Sequence, residues 1–189
     1  MTCIVAVRDS GRVWIGGDSA GVSGLDVTIR ADTKVFRVGP FVMGFTTSFR
    51  MGQLLRYSLV VPDRQPGQSP NAYMVTTFVD AVRKCLKDGG WASKANDREE
   101  GGRFIVGYDG MIYDLHGDYQ VGEPSQPFSA CGCGQDFAMG SLAETDGMPA
   151  KERVERALAA AARFSAGVCG PMLVLSSEIA PKLVAVAAE

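Results

Sequence analysis

The sequence predicts an α+β fold built on antiparallel sheets. Three observations carry this. Strand-like apolar runs flank tight-turn signals at Asp9-Ser10-Gly11, Gly39-Pro40 and Asp109-Gly110, each a hairpin signature. Two pairs of segments show apolar residues at helical spacing. Finally, the order is hairpins, two helices, hairpins, two helices and closing strands, not the strand–helix alternation of a parallel sheet.

Cys3 to Val7 and Arg12 to Ile15 read as the first hairpin. Ala20 to Arg30 is mixed and glycine-bearing, hence a loop with room for short strands. Val35 to Val38 and Phe41 to Phe45 form the second hairpin. From Ser48 the period changes, and Phe49, Met51, Leu54, Leu55 and Leu59 fit one helix face. Pro62 to Pro70 breaks it. A second helix runs from Asn71 to Lys87 and is stopped by Asp88-Gly89-Gly90. Ala92 to Gly102 is charged and glycine-flanked, a mobile surface segment by composition.

Arg103 to Tyr108 and Met111 to Leu115 make the third hairpin, and Phe128 to Cys131 is a further strand. Gly132-Cys133-Gly134 leads into a helix from Gln135 to Glu144. Pro149 favours the start of another from Lys151 to Phe164. Met172 to Leu175 and Leu183 to Val186 are the last expected strands. Antiparallel sheets with apolar faces must be covered, and two such sheets packed together with helices outside satisfy every face.

The 189 residues suit one domain, 1–189, with a substantial core. With 46% hydrophobic and 21% charged residues, the composition is that of a globular protein. A net charge of −2 gives no reason to expect nucleic acid or an anionic membrane as partner. No apolar run reaches the length of a membrane span, and the N-terminus lacks the pattern of a secretory signal, so the expectation is cytoplasmic. Five cysteines, an odd number, show no disulfide framework, and Cys131-Gly-Cys133 lacks the usual zinc-ligand gap. A Cys–His or Ser–His pair would depend on the one histidine, His116, which sits beside a Gly-Asp turn. No P-loop or GxGxxG motif appears, and neither metal nor cofactor is expected.

Three polar residues in the first thirty-four carry the chemistry: Thr2, Asp18 and Lys34. A threonine hydroxyl needs a base within hydrogen-bond reach to act as a nucleophile. If Met1 is removed, Thr2 supplies that base itself, because an α-amine has a pKa of about 7.7–8.0. A neighbouring lysine ammonium disfavours protonation of the amine and eases ionisation of the hydroxyl. A buried lysine needs a carboxylate beside it, a role for Asp18. Singly, each residue also has a plainer reading: a strand start, a turn cap and an exposed lysine.

Met-Thr-Cys-Ile-Val-Ala-Val, then Ile-Gly-Gly-Asp-Ser, then Thr-Lys-Val-Phe-Arg resembles the opening of proteasome β-type subunits and HslV-like peptidases. The spacing of Thr2, Asp18 and Lys34 fits that family without a gap. The resemblance implies the four-layer αββα sandwich of the N-terminal nucleophile (Ntn) hydrolases. It also implies a threonine-type peptidase acting on peptide or unfolded protein from inside a homo-oligomeric ring, with an ATP-dependent unfoldase as partner by analogy. It makes Thr2 the nucleophile, Lys34 the residue that tunes the amine, and Asp18 its partner. Clear similarity runs from Thr2 to about Phe45.

Beyond Phe45 the chain departs from the family. The glycine whose N–H faces the oxyanion falls at Thr47, within Thr46-Thr47-Ser48. A backbone N–H survives in threonine, although Thr47 or Ser48 also suits a helix cap. The family's Gly-Ser-Gly appears as Gly132-Cys133-Gly134, where Cys133 either does the serine's work less well or is a small buried residue. The family's acidic residue after the fourth helix has Ser165 as its nearest match. Two further readings stay open: an inactive proteasome-like structural subunit, and a small-molecule amidase of the same fold class.

Overall fold

The computed structural model describes residues 1–95 and 98–177. The expected strand Leu183 to Val186 lies outside the described residues. In chain order the strands are β1 (Cys3–Asp9), β2 (Arg12–Gly17), β3 (Ala20–Ser23), β4 (Asp26–Ile29), β5 (Val35–Val38) and β6 (Phe41–Phe45). After them come β7 (Ser93–Ala95), β8 (Arg98–Glu100), β9 (Phe104–Tyr108), β10 (Met111–Leu115), β11 (Val121–Gly122), β12 (Phe128–Gly132) and β13 (Leu173–Ser176). The helices are α1 (Phe49–Tyr57), α2 (Pro70–Tyr73), α3 (Val79–Asp88), α4 (Gln135–Glu144) and α5 (Ala150–Phe164). A π-helical turn, Met74–Phe78, joins α2 to α3.

Two antiparallel sheets dominate, in the orders β12-β1-β2-β13 and β11-β10-β9-β6-β5. Their strands are apolar on both faces, and the period of two sorts side chains between layers. On β1, Ile4 and Ala6 meet Val35, Val42 and Ile105 of the second sheet. Cys3, Val5 and Val7 point the other way, onto Ala157, Leu158 and Ala161 of α5 and Ala138 and Leu142 of α4. On the second sheet, Met43, Phe45, Phe104 and Val106 face Met51 and Leu55 of α1 and Val82 and Leu86 of α3. The result is helices, sheet, sheet, helices: the four-layer αββα sandwich.

Most boundaries fall within two residues of those expected, and β5, β6 and α4 coincide with them. Ser48 caps α1, its side chain accepting from the Arg50 N–H. Four features differ. Residues 20–29 form a full hairpin, β3–β4, where a loop with room for short strands is expected. The charged segment after α3 carries the β7–β8 hairpin, held to α3 by an Arg83–Glu99 ion pair at 2.9 Å. Alternating charges there gave no apolar period to read. The second long helix is interrupted by the π turn, where the Thr76 hydroxyl donates to the Ala72 carbonyl one turn back and competes with the backbone ladder. The two-residue β11 is too short to show a pattern.

Helix α5 lies close on β2 because Gly16 has no side chain. A Cβ there would stand 2.5 Å from Val154 Cγ1 and 2.8 Å from Leu158 Cδ1. Gly16→Ala should therefore lower unfolding free energy by about 1–3 kcal/mol, the usual cost of overpacking a core. Urea denaturation measures this; an unchanged midpoint would show that α5 is free to shift.

Candidate active site

The β1–β2 hairpin and β5 bring the N-terminal residues together. Asp18 directly follows β2, and Lys34 directly precedes β5. Both are 2% exposed. Lys34 Nζ lies 3.0 Å from each Asp18 carboxylate oxygen. Asp18 is further fixed by the backbone N–H groups of Cys3 (2.9 Å) and Ala20 (3.0 Å). Burial pulls the Lys34 pKa below its ordinary value, while Asp18 opposes that shift.

Lys34 points at the N-terminus. Its Nζ lies 3.5 Å from the Met1 carbonyl oxygen, and the Thr2 hydroxyl donates to that same oxygen. The ammonium and the hydroxyl thus converge on one atom. Thr2 itself is buried. With Met1 attached its nitrogen is an amide, which donates to Cys133 Sγ at 3.3 Å. The Cys133 thiol lies 3.4 Å from the Thr2 carbonyl oxygen, and the Ser165 hydroxyl donates to Cys133 Sγ at 3.4 Å. Ser165 thus reaches Thr2 through Cys133. Cys133 is exposed, so the alternative of a small buried residue fails. The close approach needs Gly132, which has φ +100° and where a Cβ would fall 2.2 Å from the Thr2 carbonyl oxygen. The neighbouring thiol of Cys3 is buried, and burial pushes its pKa up to about 12, which leaves it protonated and inert.

Thr47 lines the same cleft as Thr2. Its φ of +69° is left-handed, a conformation that glycine adopts freely and a β-branched residue rarely does. Its hydroxyl accepts from the Arg103 N–H at 3.1 Å, which compensates part of the strain. The cleft holds about 520 Å³ and is lined by Thr2, Gly21 to Ser23, Thr28, Arg30, Phe45 to Phe49 and Trp91, with Met1 at its edge. Of the six residues singled out in the sequence, Thr2 and Thr47 line the cleft, Lys34 and Cys133 reach the Met1–Thr2 segment directly, and Asp18 and Ser165 hold those two.

Three solved structures have the same arrangement of elements. BPH from Thiobacillus denitrificans, in complex with epoxomicin, superposes with a TM-score of 0.76 at 21% identity, covering 95% of this chain and 100% of that one. A second structure of BPH from the same organism gives 0.74 at 20% identity, covering 95% and 99%. Eukaryotic HslV from Trypanosoma brucei gives 0.66 at 20% identity, covering 92% and 98%. The fold is that of the HslV-like, proteasome-type Ntn peptidases. No family model matches the sequence, and no curated protein matches it.

The HslV-type frame explains which residues were legible. Thr2, Asp18 and Lys34 lie at strand ends, where spacing in sequence translates into spacing in space. Arg30, Phe49 and Trp91 line the same cleft without any motif to mark them. Among the described residues no group of three or more His, Cys, Asp or Glu could hold a metal ion, and no helix is long and apolar enough to cross a membrane. His116 lies in the turn after β10, where its N–H bonds the Gln120 carbonyl.

The buried pair makes a stability prediction. Lys34→Ala leaves the Asp18 carboxylate buried with two backbone donors, and should cost about 3–5 kcal/mol. Combining Asp18→Asn with Lys34→Met removes both charges and should recover much of that loss. Chemical denaturation of the three variants measures it; equal stability of Lys34→Ala and the parent would mean that the pair is solvated.

Proposed function

We propose that removal of Met1 converts this chain into an N-terminal threonine peptidase. One observation carries the reading: the Thr2 hydroxyl and the ammonium of a buried Lys34–Asp18 pair meet at a single carbonyl oxygen, that of the residue to be removed. Once Met1 leaves, the Thr2 nitrogen is an amine beside Cys133 and close to Lys34.

The steps follow from this geometry. Thr2 Oγ1 attacks the substrate carbonyl, and its proton passes to the α-amine. The Lys34 charge stabilises the developing alkoxide and keeps the amine's pKa low. Cys133 and Ser165 orient the amine. The Thr47 N–H makes no hydrogen bond among the described residues and is our candidate donor to the oxyanion. Collapse breaks the C–N bond, and the leaving amine takes the proton. Water, deprotonated by the same α-amine, then hydrolyses the ester on Thr2 and frees the second product.

A peptide fits the cleft as an added strand. Among the described residues strand β3 pairs only with β4, which leaves its other edge unpaired there, and Gly21 to Ser23 line the cleft. The likeness to HslV and BPH supports the same reading, extended to a homo-oligomeric ring that encloses the site and to an ATP-dependent unfoldase that feeds it. The epoxomicin bound by BPH is a suitable probe for this chain. The competing reading, an inactive structural subunit, is favoured by the seat that Met1 occupies. Its carbonyl is held by Lys34 and Thr2, and its side chain packs where a Cβ on Gly167 would lie 2.3 Å from Met1 Cβ. A purified protein that retains Met1 selects that reading.

Two outcomes test the peptidase. Thr2→Ala should lose hydrolysis of peptide substrates by at least about a thousandfold, since a lost nucleophile is not replaced; retained turnover would refute the assignment. The pH profile follows from the two groups. Rate rises as the α-amine loses its proton and falls as Lys34 loses its own, before the ordinary lysine range near pH 10.4, because burial lowers its pKa. Asp18 favours the charged lysine, so Asp18→Asn should move the alkaline limb to lower pH. An unmoved limb would detach Lys34 from it.

A further inference from the structure

Among the described residues that line the cleft, Arg30 is the one with a charged side chain. Its position is built, not incidental. Its Nε donates to Asp32 Oδ1 at 2.7 Å and its Nη2 to Asp32 Oδ2 at 2.6 Å. The guanidinium carbon stands 4.0 Å above the centre of the Phe49 ring. Its stem lies where Gly21 leaves space, since a Cβ on Gly21 would come within 2.7 Å of Arg30 Cδ. Its backbone N–H is bound to the Ser19 carbonyl at 2.9 Å. Four neighbours thus hold one arginine in one conformation.

The fork to Asp32 occupies Nε and Nη2. A guanidinium has five N–H groups. Nη1 has no partner among the described residues, and the side chain remains 36% exposed. Asp32 therefore orients the group without saturating it. The surrounding charge is also positive. A side cavity of about 290 Å³ shares Phe45 and Phe49 with the cleft and is lined by Arg50 and Arg56 as well as Asp32. Neither Arg50 nor Arg56 makes an ion pair among the described residues: Arg50 reaches the Gly89 carbonyl and Arg56 the Thr33 hydroxyl. Counting Arg30, Arg50 and Arg56 against Asp32, three cations face one carboxylate.

We propose that Arg30 is a specificity residue that reads an acidic side chain of the substrate near the scissile bond. The inference rests on the peptidase reading and deepens it, because it names the substrate class. A carboxylate in the cleft accepts the free Nη1 hydrogens as a charge-assisted, planar contact, for which arginine is better suited than lysine. A neutral amide of the same shape forms a weaker bond at the same place. The discrimination is therefore a matter of charge, not of size.

The experiment uses peptides acetylated at the start and amidated at the end, so that no terminal carboxylate competes. Glu is placed in turn at each of the four residues on either side of the cleaved bond, each against Gln as its isostere. The Met1-free protein should favour Glu over Gln by about tenfold in kcat/KM at one position, the scale of one charged hydrogen bond. Arg30→Met should reduce that ratio to about one, and Arg30→Lys should retain part of it. The Gln peptide is the internal reference within each variant.

No Glu preference at any position, or a preference that survives Arg30→Met, overturns the proposal. So does a Gln peptide with a free C-terminus that matches the Glu peptide, because the carboxylate read is then a chain end. Fluorescence-polarisation binding of the same peptides to Thr2→Ala separates the two readings. Glu-selective binding without cleavage by the Met1-free parent keeps the role of Arg30 and retires the peptidase. Cleavage without Glu preference does the reverse.

Discussion

The pairing of Lys34 with Asp18 is the interaction on which the rest of the site depends. An ammonium excluded from water is tolerated only beside a carboxylate, and a carboxylate so placed needs its remaining lone pairs filled. Asp18 satisfies both demands by taking the lysine and the N–H groups of Cys3 and Ala20. Through Cys3 the same carboxylate fixes the backbone next to Thr2. One side chain, Asp18, therefore holds both the Lys34 ammonium and the backbone beside Thr2 in place. Such a pair contributes little net stability for its burial; what it secures here is a cation held in place at the Met1 carbonyl, to which the Thr2 hydroxyl also donates.

The fold supplies that arrangement through strand ends. Thr2 precedes β1, Asp18 follows β2 and Lys34 precedes β5. β1 and β2 belong to one sheet and β5 to the other, so the site forms where the two sheets meet at one edge of the sandwich. Packing between the sheets, through Ile4, Ile15, Val35 and Val42, sets the distance between lysine and carboxylate. Part of the cleft lining comes from the end of β6 and the start of α1, where Thr47 takes a left-handed conformation. A residue held against its own preference in the lining of a cleft is the kind of local conflict expected at a functional site.

Much of this was legible because the informative residues are local or periodic. The hairpins announce themselves by turn chemistry, and Thr2, Asp18 and Lys34 by their spacing against those turns. Cys133 and Ser165 could be placed only by likeness to a family, and the structure joins them in a relay to Thr2 that spacing does not show. Arg30 was not legible at all. Its placement needs Gly21 across a hairpin, Asp32 two residues on and Phe49 on a helix, and no sequence period links those three. The β7–β8 hairpin escaped for a related reason, since charged strands on the surface carry no apolar alternation. Likewise the π turn follows from a threonine hydroxyl in competition with the backbone, an effect that leaves apolar periodicity intact.

The central claim is that the second residue, once exposed, supplies both the attacking oxygen and the proton acceptor. The most direct measurement is intact mass followed by peptide mapping of the purified protein after treatment with an electrophilic peptide probe that acylates hydroxyl nucleophiles. The account predicts a chain that has lost Met1 and carries a single stable adduct mapped to Thr2, with none on the Thr2→Ala protein. A Met1-free chain that stays unmodified, or an adduct mapped to any other residue, would contradict it.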